Sequence, residues 1–182
     1  MAIRELRYLG DGVLRQKTEL VERFDAELGT LLDDLVETMY DNAGVGLAAP
    51  QVGDTRRATV VDVSEARDGT EVLELINPVV VSRSGTVHSE EGCLSIPGVV
   101  ETVERSAEVE VEYQDRDGDR HTVRGVDLLS RVLQHELDHL EGILFIDHLG
   151  TLRRDLAVRE FKAAMAEKGL EPGFPIHKSA KG

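Results

Sequence analysis

The first long periodic pattern of apolar residues lies between positions 26 and 42. Apolar side chains recur there every three or four positions, which places them on one face of an α-helix. These positions are Leu28, Leu31, Leu32, Leu35 and Met39. The pattern therefore predicts an amphipathic helix whose apolar face packs on a core.

The middle of the chain contains the short β-branched and alternating runs that are typical of strands. In the clearest run, Val109, Val111 and Tyr113 alternate with polar residues; a turn rich in Asp and Gly follows at 115–119, and a returning strand at 121–124. Strands joined by so short a turn pair antiparallel. The other predicted strands are 58–63, 71–76, 79–81 and 99–103.

A second helical pattern begins near Asp127. Leu128, Val132, His135 and His139 follow at spacings of four, three and four residues, so all four project from one face of the helix. This arrangement predicts a helix that carries two histidines beside an apolar pocket.

The two histidines belong to the sequence His135-Glu136-Leu137-Asp138-His139. Imidazoles four residues apart on a helix can bind one metal ion, and the glutamate between them can take a proton from bound water. A catalytic metal of this kind commonly has three protein ligands. Phe145 stands where one zinc-peptidase pattern has a third histidine, so Glu160 and the single cysteine, Cys93, are the candidates. The spacing alone leaves both open.

Composition narrows the class of protein. A chain of 182 residues, 41% of them hydrophobic, can form one sizeable core, so we expect a single domain over 1–182 with a flexible tail after about residue 168. One cysteine excludes an internal disulfide and suits a reducing cytosol. Without an apolar run of signal-peptide or membrane-spanning length, we expect a cytoplasmic protein with no membrane partner.

The formal net charge of −14 argues against general nucleic-acid binding, because phosphate contacts need clustered Lys and Arg. A more basic stretch at 152–168 gives the hypothesis that the C-terminal helix docks on a ribosome, although a solvated helix face is the favoured interpretation. Its cationic residues include Arg153, Arg154, Arg159 and Lys162.

A glycine-rich segment, Gly44-Val45-Gly46-Leu47-Ala48-Ala49-Pro50-Gln51, follows the first helix. Glycine and proline interrupt helices, so the segment is predicted to be a loop or an irregular strand. Its glycines are either simple turn residues or the edge along which a peptide backbone pairs.

Three segments in order resemble the peptide deformylase family. They are Gly44 to Gln51, Glu91-Gly92-Cys93-Leu94-Ser95, and Gln134-His135-Glu136-Leu137-Asp138-His139. The similarity covers most of the chain, from Tyr8 to Asp147, and fades after about Glu167. Three motifs in the same order are far more specific than any one of them.

The resemblance implies a ligand set and a reaction. Cys93, His135 and His139 would hold the metal, and Glu160 would have no ligand role. The implied metal is iron(II), Fe2+, with nickel, cobalt or zinc as substitutes, whereas ligand chemistry alone favours zinc. The implied reaction removes the N-formyl group from the formyl-methionine that begins newly made polypeptides, and it releases formate. N-formyl-methionyl nascent peptides are therefore the expected partners.

The resemblance also implies roles for residues around the metal. Glu136 would accept the water proton and pass it to the leaving amine. The side-chain amide of Gln51 and the backbone N–H of Leu94 would stabilise negative charge on the formyl oxygen. Glu91 would pair with Arg105 and orient the loop that holds the thiolate; a surface ion pair is the competing interpretation.

Recognition of methionine needs a narrow apolar pocket, for which Val45, Gly46, Leu128 and Val132 are the candidates. Some family members have apolar residues where this chain has Ser89 and Arg131, so its pocket rim is expected to be more polar. The histidines outside the motif are expected to face solvent; they are His88, His121, His148 and His177.

The expected fold class is α+β, with antiparallel strands around a central metal-binding helix, one helix before them and one after. The expected function is that of an iron(II) peptide deformylase. Two alternatives remain: a zinc peptidase that uses Glu160, and a metal-stabilised module that binds peptides or ribosomes through residues 44–51.

Overall fold

A computed structural model of the chain describes residues 2–170. Most of the tail predicted to be flexible, and His177 with it, lie outside these residues. Within them the chain forms three α-helices and seven strands.

The first helix, α1 (Ala26–Asp41), forms where the apolar period predicted it. Asp25 caps its start by accepting hydrogen bonds from the backbone N–H groups of Glu27 and Leu28. All five residues of the predicted apolar face are almost fully buried. The helix packs on the edge of a sheet, which confirms the predicted amphipathic packing.

Seven strands form two antiparallel sheets, of five and two strands. In chain order the strands are β1 (Gly46–Ala48), β2 (Ala58–Val61), β3 (Leu73–Ser84), β4 (Val87–Cys93), β5 (Ile96–Arg105), β6 (Glu108–Gln114) and β7 (Arg120–Val126). The larger sheet has the order β1-β2-β3-β6-β7, and β4 and β5 form a separate hairpin. The glycine-rich β1 therefore lies at a sheet edge.

Two details of the strand prediction were wrong. The runs predicted at 71–76 and 79–81 are parts of one strand, β3, whose register shifts between Ile76 and Val79. Asn77 has a left-handed backbone there (φ 51°) and Pro78 has no N–H to donate, so the ladder bulges without ending. Strand β4 was not predicted at all, because polar side chains dominate it.

The second helix, α2 (Asp127–Leu140), follows β7 and carries the histidine motif. Its buried face packs against the larger sheet through Val132, Leu133 and Leu137. Gly142 ends it with a positive φ of 73°, and a Cβ at this position would lie 2.7 Å from the backbone oxygen of Arg15. The close approach of Arg15 therefore leaves no room for a side chain at the end of the helix.

The third helix, α3 (Thr151–Glu167), covers the β4–β5 hairpin. Ala157, Phe161 and Met165 are buried in the same apolar cluster as Ile96 and Val99 of β5. No helix among residues 2–170 is long and apolar enough to cross a membrane. Antiparallel strands around a central helix, with one helix before and one after, confirm the α+β prediction.

Candidate metal centre

Cys93, His135 and His139 meet between the hairpin and the central helix. One potential ligand atom from each lies within 4.8 Å of the other two. Cys93 Sγ is 3.3 Å from His139 Nε2, and the two imidazole centroids are 5.0 Å apart. The three side chains form a group that could bind one metal ion.

Local structure brings the three residues together. Cys93 is the last residue of β4, where the register shifts so that Cys93 pairs with Ile96 across a tight turn. The four-residue spacing on α2 places His135 and His139 on the helix face that meets this turn. A strand end and a helix face therefore supply the group.

The donor set fits a divalent transition metal, because thiolate and imidazole are its usual ligands. Burial lowers the pKa of His139 well below its usual value, so its ring is neutral and keeps a lone pair for coordination. Glu160, the alternative third ligand, is exposed on α3 and is not part of the group.

Phe145, which stands where a zinc-peptidase pattern has histidine, has a structural role. Its ring stacks on His135, with centroids 6.0 Å apart and planes inclined by 27°. Phe145 is fully buried and fixes one side of the imidazole. The position of Phe145 in the sequence, three residues after Gly142, did not predict this contact with His135.

A buried network orients the other side of His135. Glu91 Oε2 lies 3.0 Å from His135 Nδ1, and Arg105 donates to both Glu91 oxygens at 2.7 and 2.9 Å. Burial alone would raise the pKa of Glu91, but hydrogen bonds from Arg105 and His135 outweigh burial and lower it to about 2. Glu91 therefore stays ionised, accepts from Nδ1, and leaves Nε2 free for a metal.

The network continues beyond the residues that the sequence singled out. Arg105 also donates to Asp138 Oδ2 at 2.6 Å, and His148 Nε2 lies 2.7 Å from the same oxygen. The His148 side chain is exposed to solvent, as expected, yet it contacts Asp138 of this network. Nothing in the spacing of His148 predicted this contact.

Gln51 lies next to the thiolate with its amide group oriented. Its Oε1 accepts from the backbone N–H of Ala48 at 2.9 Å. Its Nε2 donates to Ser95 Oγ at 3.2 Å and lies 3.6 Å from Cys93 Sγ. Because the oxygen is engaged, the N–H2 group faces the metal-binding residues. The sequence did not predict this contact of Ser95 with Gln51.

Glu136 is buried beside the group, and a glycine makes room for it. A Cβ at Gly46 would lie 2.5 Å from Glu136 Oε1. Burial raises the pKa of Glu136 to about 7, which suits a group that takes up and releases a proton near neutral pH. Its Oε2 has no hydrogen-bond partner among the described residues.

A cavity of about 530 Å³ opens beside Glu136 and His135. Val45, Gly46, Leu128 and Val132, the four predicted pocket residues, all line it. Val132 is 7% exposed at its depth, and Leu128 is 42% exposed at its mouth. Leu94, the residue after Cys93, also lines the cavity. A Cβ at Gly44 would lie 2.8 Å from Leu94 Cδ1.

Five further residues that line the cavity were not predicted from the sequence. They are Ile96, Pro97, Gly98, Val99 and Val100 of β5. Arg131 lines the cavity, as the polar-rim prediction requires, but Ser89 does not.

Comparison with known proteins gives the chain a family context. Residues 3–155 match the family model described as polypeptide deformylase. The peptide deformylase of Agrobacterium fabrum is 47% identical over 169 residues, which cover 92% of this chain and 99% of that protein. The peptide deformylase of Acidobacterium capsulatum is 45% identical over 162 residues, which cover 89% and 95%.

Solved structures agree with the sequence comparison. A peptide deformylase from Legionella pneumophila is 43% identical, covers 94% of this chain and 100% of its own, and has a TM-score of 0.89. One from Synechococcus elongatus, in complex with actinonin, is 40% identical, covers 95% and 92%, and has a TM-score of 0.81.

Proposed function

The chain belongs to the polypeptide deformylase family, and we propose that Cys93, His135, His139, Glu136 and Gln51 carry out the family's reaction here. The protein is a metal-dependent hydrolase that removes the N-formyl group from the N-terminal formyl-methionine of newly made polypeptides and releases formate. The observation that carries the residue assignment is the convergence of these five side chains at one end of the apolar cavity.

The metal would be held by Cys93, His135 and His139, and we propose iron(II) from the family resemblance. When bound, it would supply a water of lowered pKa and an electrophile for the formyl oxygen. One thiolate and two imidazoles would also accept nickel, cobalt or zinc. Metal analysis of protein purified without oxygen tests the choice.

Glu136 is the proposed proton carrier. It would take the proton of the attacking water and deliver it to the amide nitrogen as the carbon–nitrogen bond breaks, since an amine leaves poorly unless it is protonated. Its pKa of about 7 allows both steps near neutral pH. Its Oε2, which has no hydrogen-bond partner among residues 2–170, is the proposed acceptor.

Negative charge on the formyl oxygen needs donors in fixed positions. The Gln51 amide is held in place by Ala48 and Ser95, with its N–H2 group toward Cys93. The backbone N–H of Leu94 is the second proposed donor, because it lies in the turn that follows Cys93. Both donors would therefore be in place before a substrate arrives.

The methionine side chain would enter the cavity between Val45, Leu128 and Val132, where an apolar wall matches its thioether. The peptide backbone would pair with the open edge of β1 in extended form. Gly46 on this strand leaves room for the Glu136 side chain.

We also propose that residues 1–182 form a single catalytic domain and that the protein is cytoplasmic.

A further proposal is that α3 docks on the ribosome. Arg159 and Lys162, which are exposed on this helix, support the docking. Arg153 and Arg154 contribute less, because they form ion pairs with Glu101 and Asp147. Co-sedimentation with ribosomes should fall in the Arg159→Glu/Lys162→Glu double variant.

Formate release tests the proposed site. Protein loaded with iron(II) without oxygen should release formate from formyl-Met-Ala-Ser and leave acetyl-Met-Ala-Ser intact. Cys93→Ala should lose both bound iron and turnover, whereas Glu160→Ala should keep both. A Cys93→Ala protein that retains its metal, with loss in Glu160→Ala, would instead support the peptidase ligand set.

A further inference from the structure

Arg131 is the only Arg or Lys among the described residues that line the cavity. Its side chain makes no hydrogen bond or ion pair with any residue in 2–170. The residue is half-buried, whereas the other arginines that make no hydrogen bond or ion pair are exposed. Those are Arg83, Arg120 and Arg159.

A half-buried guanidinium without a partner is unusual in this chain. The protein carries 35 acidic against 21 Lys and Arg side chains, so carboxylates are plentiful. The buried Arg105 and the partly exposed Arg116 both have them. Burial of a charge is costly unless an oppositely charged group pairs with it. The cavity therefore provides a place where a ligand carboxylate would gain a bidentate, charge-assisted contact.

The carboxylates near Arg131 do not fill this place. Glu91 is engaged by Arg105, and Glu136 is buried against Gly46. Glu90, on β4, lines the cavity and is exposed, and it makes no ion pair with Arg131 within residues 2–170. The charged residues of the cavity lining that are not buried are therefore Glu90 from the hairpin and Arg131 from α2.

The helix geometry relates Arg131 to a particular residue of the peptide. Arg131 is four residues before His135, which is about one turn, or roughly 5.4 Å along the helix axis. In an extended peptide, the first and third side chains lie on the same side and about 6.8 Å apart. With methionine beside Val132 and His135 and the peptide running toward the start of α2, the third side chain would reach the level of Arg131 and the second would face away.

We propose that Arg131 is a specificity-determining residue that binds a carboxylate on the third residue of the formyl peptide, that is, an Asp or Glu side chain. The inference rests on the proposed function and on the entry of methionine into this cavity. It gives the enzyme a preference for chains that begin with formyl-Met-Xaa-Asp or formyl-Met-Xaa-Glu.

The test compares amidated peptides, so that no terminal carboxylate competes. The peptides are formyl-Met-Ala-Glu-Ala, formyl-Met-Ala-Gln-Ala and formyl-Met-Glu-Ala-Ala amides, and kcat/KM is measured for the wild type, Arg131→Gln, Arg131→Lys and the exposed control Arg83→Gln. Because each preference is a ratio within one variant, partial loss of folded enzyme cancels.

The wild type and Arg83→Gln should favour Glu over Gln at the third position about fivefold, mainly through KM, as one partly exposed ion pair would give. Arg131→Gln should abolish the ratio, Arg131→Lys should keep part of it, and salt should reduce it. A ratio of one in the wild type, a ratio that survives in Arg131→Gln, or a preference that follows the second position would overturn the proposal. Turnover of the Gln peptide separates these outcomes from failure of the deformylase function, in which no peptide reacts.

The tripeptide formyl-Met-Ala-Ala with a free C-terminus carries a carboxylate on the backbone of its third residue instead of on a side chain. If its terminal carboxylate gives the same advantage over the amidated form, and Arg131→Gln removes that advantage too, Arg131 recognises the anion wherever it stands near the third residue. If only the side-chain carboxylate gives the advantage, Arg131 reads the third side chain alone.

Discussion

The two ends of the cavity differ in how their side chains are held. At the metal end, Gln51, Glu91 and Glu136 are almost fully buried, and the first two are fixed by hydrogen bonds. At the mouth, Leu128 is 42% exposed and Arg131 has no partner within residues 2–170. The fold thus fixes the proposed reacting groups in advance, and under our proposal the substrate completes the mouth. Changes at the metal end should therefore affect kcat or metal binding, and changes at the mouth should affect KM.

The space that Gly46 leaves for Glu136 offers the strongest way to break the metal end without touching a reacting group. In Gly46→Ala the new Cβ would lie 2.5 Å from Glu136 Oε1, so the carboxylate must move. A displacement of this kind is expected to lower kcat about 100-fold. Gly29→Ala on α1 is the matched control, because a Cβ there meets nothing within 4 Å. Formate assays that show equal kcat for both variants would contradict the predicted crowding.

The Glu91–Arg105 pair tests whether the metal end depends on its buried support. Glu91→Gln replaces the carboxylate that accepts a hydrogen bond from His135 Nδ1 with a neutral amide. Arg105 then loses its main ion-pair partner. Metal affinity is expected to fall about 10- to 100-fold, as for other changes behind metal-bound histidines. Competition with a chelator measures the change. Glu108→Gln, in the exposed pair with Arg124, should leave the affinity unaltered.

Leu128→Ala should have the smallest effect, because it acts at the mouth. The side chain is partly exposed, so loss of its contact with methionine should raise KM roughly fivefold and leave kcat nearly unchanged. Leu152→Ala, on the exposed part of α3, is the control. A fall in kcat instead would mean that the mouth also positions the reacting groups.

The helical elements could be predicted from sequence because their information is local. The period of Leu28 to Met39 gave α1, and the spacing of His135 and His139 gave their shared face. The choice between Cys93 and Glu160 could not be made from spacing, because it depends on how β4 meets α2. Only the family resemblance favoured the cysteine.

The contacts that orient the site could not be predicted for the same physical reason. Ser95 holds the Gln51 amide, 44 residues away in sequence, and Phe145 stacks on His135 across a turn. β4 was missed because its polar side chains lack the apolar alternation that identifies a strand. The Ser95 and Phe145 contacts depend on how distant parts of the chain pack together, which the local sequence around each residue does not show.

The most direct test of the central claim is the kcat of Glu136→Gln, measured beside the wild type with bound iron quantified in both. Because the glutamine keeps the shape of the side chain but cannot carry the proton, kcat should fall about a thousandfold while both proteins bind one iron per chain. A metal-replete Glu136→Gln enzyme that still releases formate within about tenfold of the wild-type rate would contradict the proposed role of Glu136 as the proton carrier at this site.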